Sequence, residues 1–200
     1  GKEIEPNRDY LFMYDGAEVY IPKDAIYDNN RFVLGFDNNL LQIKADHVAL
    51  RKAFQIKVIA PDSVVGHYLG LQLKNGKTGF ISKTIRDNHF VAKIKKTGIY
   101  TIAQDTIPPI IKPSQLYDQR WLSNFNSLRF IIDDKETGIR SYQATINGKW
   151  ALFEYEPKKK EITFSFDEYF TFEGAKHKLK ISVIDNVGNE SNHELEFYRK

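Results

Sequence analysis

Five histidines are the residues of this chain best suited to hold a transition metal. They are His47, His67, His89, His177 and His193, and each stands in a different segment. Zinc sites usually draw ligands from short, regularly spaced motifs. The sequence contains neither H-x-H nor H-x-x-x-D, and with no cysteine it offers no thiolate ligand. We therefore expect surface or hydrogen-bonded histidines and no metal site built on them.

A second group able to bind a cation consists of Asp133, Asp134 and Asp185, which could meet near one end of a folded domain. Calcium prefers such oxygen ligands, so one interpretation is a calcium site built from carboxylates and turn carbonyls. The alternative is that these side chains cap turns by accepting hydrogen bonds from the backbone two residues on. Because the spacing of an EF-hand loop is missing, turn capping is the expectation and calcium the alternative.

Three aromatic residues, Trp121, Trp150 and Tyr169, could form a flat platform for sugar rings or glycan chains. Large rings also bury extensive area, so the competing interpretation is that they fill cores or seal the ends of a sandwich. We expect the core role, with Trp121 the most open case because its segment lacks clean periodicity.

Signatures of catalysis are missing from the sequence. There is no G-x-S-x-G elbow, and Gly70, Gly76 and Gly79 do not have the spacing of a phosphate loop. We name no catalytic residue and expect no cofactor and no enzyme activity in this chain. A hydrolase with a site assembled from distant residues stays as a rival interpretation.

The composition bounds the partners. The 200 residues include 29 Lys and Arg against 26 Asp and Glu, a net charge of +3. Nucleic-acid binders concentrate basic charge on one face, so this balance argues against nucleic acid. No window of 18 apolar residues exists, and we expect no membrane span. The first ten residues lack a signal-peptide core, and the leading Gly suggests an excised piece of a longer protein whose export signal lies upstream.

Strands must position all of these side chains, because apolar and polar residues alternate along most of the chain. Asn75-Gly76 and Asn147-Gly148 indicate hairpins with type I′ turns. Segment 39–54 lacks helical spacing and is expected to be strand plus irregular loop. The predicted strands of the first half are Ala17–Ile21, Arg31–Phe36, Phe54–Ile59, His67–Lys74, Lys77–Ser82, His89–Lys95 and Ile99–Ala103.

The second half continues the same pattern. Its predicted strands are Leu128–Ile132, Ile139–Ile146, Lys149–Tyr155, Glu161–Phe166, His177–Ile184 and Glu194–Tyr198. Between the halves, Pro108-Pro109 makes a stiff connector, since each proline fixes φ and removes a donor. Short strands at this spacing predict an all-β chain of two tandem β-sandwich domains, residues 1–105 and 106–200.

Motifs along the second half resemble bacterial immunoglobulin-like domains. In chain order they are Asp105 to Pro109, Asp133 to Ile139, Asn147 to Trp150, Gly174 to His177 and Asp185 to Asn189. The order looks most like the C-terminal region of lysostaphin-type (LytM-like) zinc metallopeptidases of the cell envelope. The segment Val19 to Asp28 looks like the opening of the sandwich domain that precedes it in those peptidases, and is similar to the ankyrin-type ZU domain.

This resemblance implies a function for the chain. Since the zinc motifs are missing, the catalytic domain would lie elsewhere in the parent protein. The chain would then be a non-catalytic accessory region of an exported, periplasmic or cell-envelope protein, which spaces or positions that domain. Its partners would be the catalytic domain or a cell-wall polymer. The alternative is a carbohydrate- or peptidoglycan-binding module.

Overall fold

The computed structural model describes residues 1–167 and 169–200. All regular secondary structure in these residues is β-strand, which confirms the all-β class. The chain divides into two compact units, Gly1–Asp105 and Thr106–Lys200, called the first and second domains below. Each has its own hydrophobic core between two sheets.

The first domain contains eleven strands among its described residues. They are β1 Lys2–Ile4, β2 Tyr10–Tyr14, β3 Ala17–Ile21, β4 Asn30–Asp37, β5 Leu40–Ala45, β6 Phe54–Ile59, β7 His67–Gln72, β8 Thr78–Ser82, β9 Ile85–Arg86, β10 His89–Ile94 and β11 Gly98–Gln104.

These strands form a sandwich of two antiparallel sheets. One has the order β1-β4-β5-β11-β7-β8 and the other β2-β3-β6-β10-β9. Alternation sets the inner face: in β6, Phe54, Ile56 and Val58 are buried while Gln55 and Ile59 are exposed. Burial of such a face supplies the main favourable term in folding.

The second domain contains nine strands among its described residues. They are β12 Ile110–Pro113, β13 Arg120–Trp121, β14 Ser127–Asp133, β15 Ile139–Ile146, β16 Lys149–Trp150, β17 Glu154–Glu156, β18 Glu161–Ser165, β19 Lys176–Asp185 and β20 Glu190–Tyr198.

The strand order of the second domain is that of an immunoglobulin-like sandwich. One sheet runs β12-β14-β18-β17, equivalent to strands A, B, E and D, and the other runs β13-β20-β19-β15-β16. The short β13 pairs with β20 in parallel, whereas the other pairs are antiparallel. The second domain is therefore immunoglobulin-like, as the sequence predicted.

The predicted single strand Lys149–Tyr155 is divided in two. Its first part, β16, pairs with β15 in one sheet, and its last part, β17, pairs with β18 in the other. The chain crosses from sheet to sheet between Trp150 and Glu154, so no single strand can cover the run. Alternation alone does not show such a crossing.

The two predicted type I′ turns differ. Asn147 and Gly148 both have positive φ, 52° and 78°, as that turn requires. At the other hairpin only Gly76 does, with φ 81°, while the Asn75 side chain accepts the amide of Lys77. This second turn is therefore not type I′.

Candidate functional site

The crossing between the two sheets of the second domain presents a row of side chains to solvent. Ala151 and Phe153 point into the core, so Trp150, Leu152 and Glu154 point outward. Trp150 is 67% exposed and Leu152 55%. Alternation is thus kept through the crossing, which sets three outward side chains along one wall.

Tyr142 fixes the backbone of this wall. Its hydroxyl donates a hydrogen bond of 2.7 Å to the carbonyl of Phe153. Burial, and then the nearby carboxylate of Glu154, raise the pKa of Tyr142. The phenol therefore stays protonated, and so remains a donor, at neutral pH.

The facing wall consists of β18 and the loop after it. Phe170 packs on Phe164 with ring centroids 5.5 Å apart and so anchors the loop to the core. The carboxylate of Asp167 accepts the amide of Tyr169 at 3.1 Å. Between these two anchors the Tyr169 side chain is 88% exposed.

The two walls enclose an open depression, called the aromatic cleft here. Its volume is about 320 Å³, and it is lined by Trp150, Leu152, Glu154, Thr163, Phe164, Ser165, Asp167, Tyr169 and Phe170. Glu154 and Asp167 supply acceptors, and the hydroxyls of Thr163 and Ser165 both accept and donate. None of the described lining residues is cationic. Exposed rings beside hydroxyls and carboxylates suit a neutral, hydroxyl-rich ligand with one apolar face, such as a sugar.

Trp121 lies outside this cleft. It stands on β13 and Trp150 on β16, the opposite edges of one five-stranded sheet. Four strand spacings separate these edges, about 19 Å at about 4.8 Å per spacing. The Trp121 ring packs on Tyr198 at 5.4 Å and is 57% exposed. The structure thus brings together two of the three predicted platform rings. All three are largely exposed, so none of them fills a core.

Asp134 closes the loop between β14 and β15. One carboxylate oxygen accepts the amides of Glu136, Thr137 and Gly138 at 3.2, 2.7 and 2.7 Å. The loop thereby satisfies amides that no strand partner reaches.

Asp185 does the same for the turn between β19 and β20. It is buried, and its Oδ1 accepts the amides of Val187, Gly188 and Asn189 at 2.9, 2.7 and 2.9 Å. Its Oδ2 accepts the side-chain amide of Asn189 at 2.7 Å. Asp185 thus caps the turn by accepting backbone amides, as the turn-capping interpretation expects.

The three aspartates of the calcium interpretation differ in their surroundings. A carboxylate oxygen of Asp134 and one of Asp185 lie within 4.8 Å of each other. Asp133 instead forms an ion pair of 2.8 Å with Lys160. The oxygens of Asp134 and Asp185 accept turn amides, as the favoured interpretation expects. A calcium site on Asp133, Asp134 and Asp185 stays the untested alternative.

His177 serves the second domain as a buried hydrogen-bonding residue. Nδ1 lies 2.9 Å from the side-chain nitrogen of Asn147 and Nε2 lies 3.2 Å from the carbonyl of Arg199. A carbonyl only accepts, so Nε2 carries the proton and Nδ1 accepts from Asn147. Both ring nitrogens are thus used in holding the β15–β16 turn and the last residues.

Residues of the cleft beyond Trp150 and Tyr169 escaped the sequence analysis. Leu152 and Glu154 could have been predicted from the sequence, because they continue the outward alternation that begins at Trp150. The sequence indicates Asp167 more weakly, as an acidic residue two positions before a tyrosine in a turn. Nothing in the sequence indicates Thr163 and Ser165 beyond their outward strand positions.

Comparison with known proteins leaves the family open. No family model matches the chain, and no curated protein does. Among solved structures, fibronectin(III)-like modules of CbhA from Clostridium thermocellum align over 74% of this chain and 86% of theirs. The sequence identity is 10% and the TM-score 0.37.

The described part of the chain contains no helix that is long and apolar enough to cross a membrane.

Proposed function

We propose that this chain is a non-catalytic accessory region of an exported cell-envelope peptidase and that its aromatic cleft binds wall glycan. The observation that carries the proposal is the cleft itself. Trp150 and Tyr169 are largely exposed and face a common depression with two carboxylates and two hydroxyls. A protein gains little from holding two large rings in water unless a ligand covers them.

The accessory role and the envelope location are supported by the sequence. The segments Asp105 to Pro109, Asp133 to Ile139 and Asp185 to Asn189 resemble bacterial immunoglobulin-like domains, and the order of both halves resembles the tail of lysostaphin-type peptidases. The peptidase zinc motifs are missing from this chain. Binding, spacing and positioning then remain as the roles of this region.

The chemistry of the cleft favours a neutral sugar over a charged polymer. The carboxylates of Glu154 and Asp167 accept hydrogen bonds from sugar hydroxyls but repel phosphate or carboxylate groups. Sugar rings offer an apolar C–H face that stacks on Trp or Tyr, and the rings of Trp150 and Tyr169 are free to take that position. A glycan strand supplies both features in every repeat.

Co-sedimentation of the 200-residue chain with insoluble peptidoglycan tests this function. We expect saturable binding that weakens about 30-fold in Trp150→Ala, because truncating an aromatic anchor at an interface costs about 2 kcal/mol. Tyr169→Ala should weaken binding as well, since its side chain faces the same depression.

Trp121→Ala is the matched control, because Trp121 is the same residue type and more than half exposed but stands at the opposite sheet edge. Its binding should equal that of the unmodified chain. An equal loss of peptidoglycan binding in Trp121→Ala and Trp150→Ala would contradict glycan binding by the cleft. So would the absence of saturable binding by the unmodified chain.

A further inference from the structure

A long basic segment of the first domain has almost no acidic counterpart. Residues 63–104 contain seven basic residues and one acidic residue, Asp87, whereas the remainder of the chain is net acidic. All seven are exposed: Lys74, Lys77, Lys83, Arg86, Lys93, Lys95 and Lys96. Arg86 and Lys93 lie on β9 and β10, and the other five lie in the turns between β7 and β11. Such a concentration of one sign attracts a ligand of the opposite sign.

These cations are also free of ion pairs within the described chain. Three lysines of the second domain behave differently: Lys176, Lys178 and Lys180 pair with Glu196 or Glu194 at 2.7 to 2.9 Å. No carboxylate among the described residues pairs with any of the seven. Their charge therefore remains available to a partner.

Four of the seven surround two adjoining depressions, which together form the basic groove: Arg86, Lys93, Lys95 and Lys96. One depression, of about 490 Å³, is lined by Arg86 and Lys93, and the other, of about 370 Å³, by Lys93, Lys95 and Lys96. Ile81 and Lys93 belong to both. The two depressions thus adjoin, and Lys93 lies at their junction.

The backbone that carries these cations is well held. Lys93 lies on β10 beside β6, and the hydroxyl of the buried Tyr100 donates to the carbonyl of Lys96 at 2.6 Å. Burial raises the pKa of Tyr100 to about 12, so this donor persists at neutral pH. Lys93 and Lys95 are two residues apart, which separates their backbones by about 7 Å at the rise of an extended strand.

We propose that the basic groove binds a linear phosphodiester polymer that carries no bases, such as a polyol phosphate. Lysines are point charges suited to phosphates, and Arg86 can bind two phosphate oxygens at once. Asp87 and the ion-paired Lys57 also line the first depression, which leaves its net charge positive. A chain of phosphates spaced along the groove would meet one cation after another.

Nucleic acid is the less suited polyanion. Proteins that bind single strands add exposed aromatic rings on which bases stack. The aromatic residues lining the described groove are Phe80 and Tyr100, of which Tyr100 is buried and Phe80 packs on Tyr68 at 5.6 Å. The groove therefore offers no exposed ring on which a base could stack, and its cations can recognise only the phosphates.

Binding of the full 200-residue chain to poly(glycerol phosphate), followed across salt concentrations, tests the proposal. Four contacts to a flexible chain predict a slope of log K against log salt of about −3. Lys93→Gln with Lys95→Gln should weaken binding at least about tenfold and reduce the slope by about 1.4.

The matched control is Lys158→Gln with Lys159→Gln, which removes the same charge from an exposed turn of the second domain. Its affinity should stay within about twofold of the unmodified chain. Equal weakening by both double variants would show that the polymer responds only to the net charge of the protein. That result would overturn the proposed binding site in the basic groove. Tighter binding of an oligothymidylate than of poly(glycerol phosphate), or no saturable binding, would overturn it too.

The test is independent of the aromatic cleft. Trp150→Ala leaves every residue of the basic groove in place, so it should bind poly(glycerol phosphate) as the unmodified chain does. Loss of that binding in Trp150→Ala would contradict a separate site on the first domain.

Discussion

The two domains contain similar numbers of charged residues but differ in which of them form ion pairs. The first has fifteen basic and twelve acidic residues, and the second has fourteen of each. In the second, lysines of β19 face glutamates of β20, and Asp134 and Asp185 close turns. In the first, the cations of the basic groove stay unpaired. Which charges meet, more than how many there are, decides the surface each domain offers.

The difference extends to the sites. The aromatic cleft of the second domain is lined by rings and carboxylates, and the basic groove of the first by cations together with apolar and polar side chains. One suits a neutral sugar and the other a polyanion. Under the two proposals, one chain carries binding surfaces for two different ligand chemistries.

Asp185→Ala provides the largest expected effect, since it tests whether carboxylates of the second domain serve its structure. Four hydrogen bonds to a buried carboxylate are lost, so we expect the free energy of unfolding of the second domain to fall by about 3 kcal/mol or more. Both tryptophans lie in this domain, so denaturant unfolding followed by tryptophan fluorescence reports its stability.

The matched variant in the first domain is Asp9→Ala. Asp9 also accepts two hydrogen bonds, from Tyr20 and Lys23, but it lies in solvent. Its loss should leave the tryptophan-monitored transition unchanged. A tryptophan-monitored destabilisation by Asp185→Ala no greater than that by Asp9→Ala would contradict the structural role of Asp185.

A smaller effect concerns the paired glutamates of β20. Hydrogen bonds from Lys178 and Lys180 lower the pKa of Glu194, and those from Lys176 and Gln119 lower the pKa of Glu196. A pKa that is lower in the folded state than in the unfolded chain adds stability above the ordinary value of 4.5. That contribution disappears as the pH falls through the folded pKa.

We therefore expect the stability of the second domain to fall as the pH drops below about 4.5, and Glu194→Gln with Glu196→Gln to flatten that fall. Urea unfolding at several pH values, followed by tryptophan fluorescence, measures it. Added salt should reduce the difference between the two proteins, because these pairs are exposed and screened. If the free energy of unfolding changes with pH in the same way for the variant and the unmodified chain, these ion pairs do not contribute to the pH dependence.

Much of the fold follows from residue alternation. Strands β3, β6 and β15 have the predicted bounds. In β3 and β6 a period-2 pattern with one buried face runs the whole length, and in β15 it holds from Tyr142 to Ile146, after a register shift between Ile139 and Ser141. The short strands β1, β9 and β13 were missed, since two or three residues show no period. The strands β2 and β12 were missed as well, because neither alternates apolar and polar residues. The crossing between β16 and β17 was missed because alternation continues while the pairing partner changes.

The sites were harder to predict for physical reasons. Trp150 and Tyr169 were named, but their meeting depends on a sheet crossing and on a loop anchored by Phe170, neither of which a pattern shows. The basic groove was missed because the net charge was averaged over the chain. A count within residues 63–104 alone would have shown it.

The central claim is that the aromatic cleft, and not aromatic exposure in general, binds wall glycan. Trp121→Phe leaves Trp150 as the sole tryptophan, and Trp150→Phe leaves Trp121. Each variant would be titrated with soluble glycan strands released from peptidoglycan while its emission is recorded. We predict a saturable change for the chain that keeps Trp150 and none for the chain that keeps Trp121. If the emission of Trp150 does not change with added glycan, or if both variants respond equally, glycan binding by the aromatic cleft is contradicted.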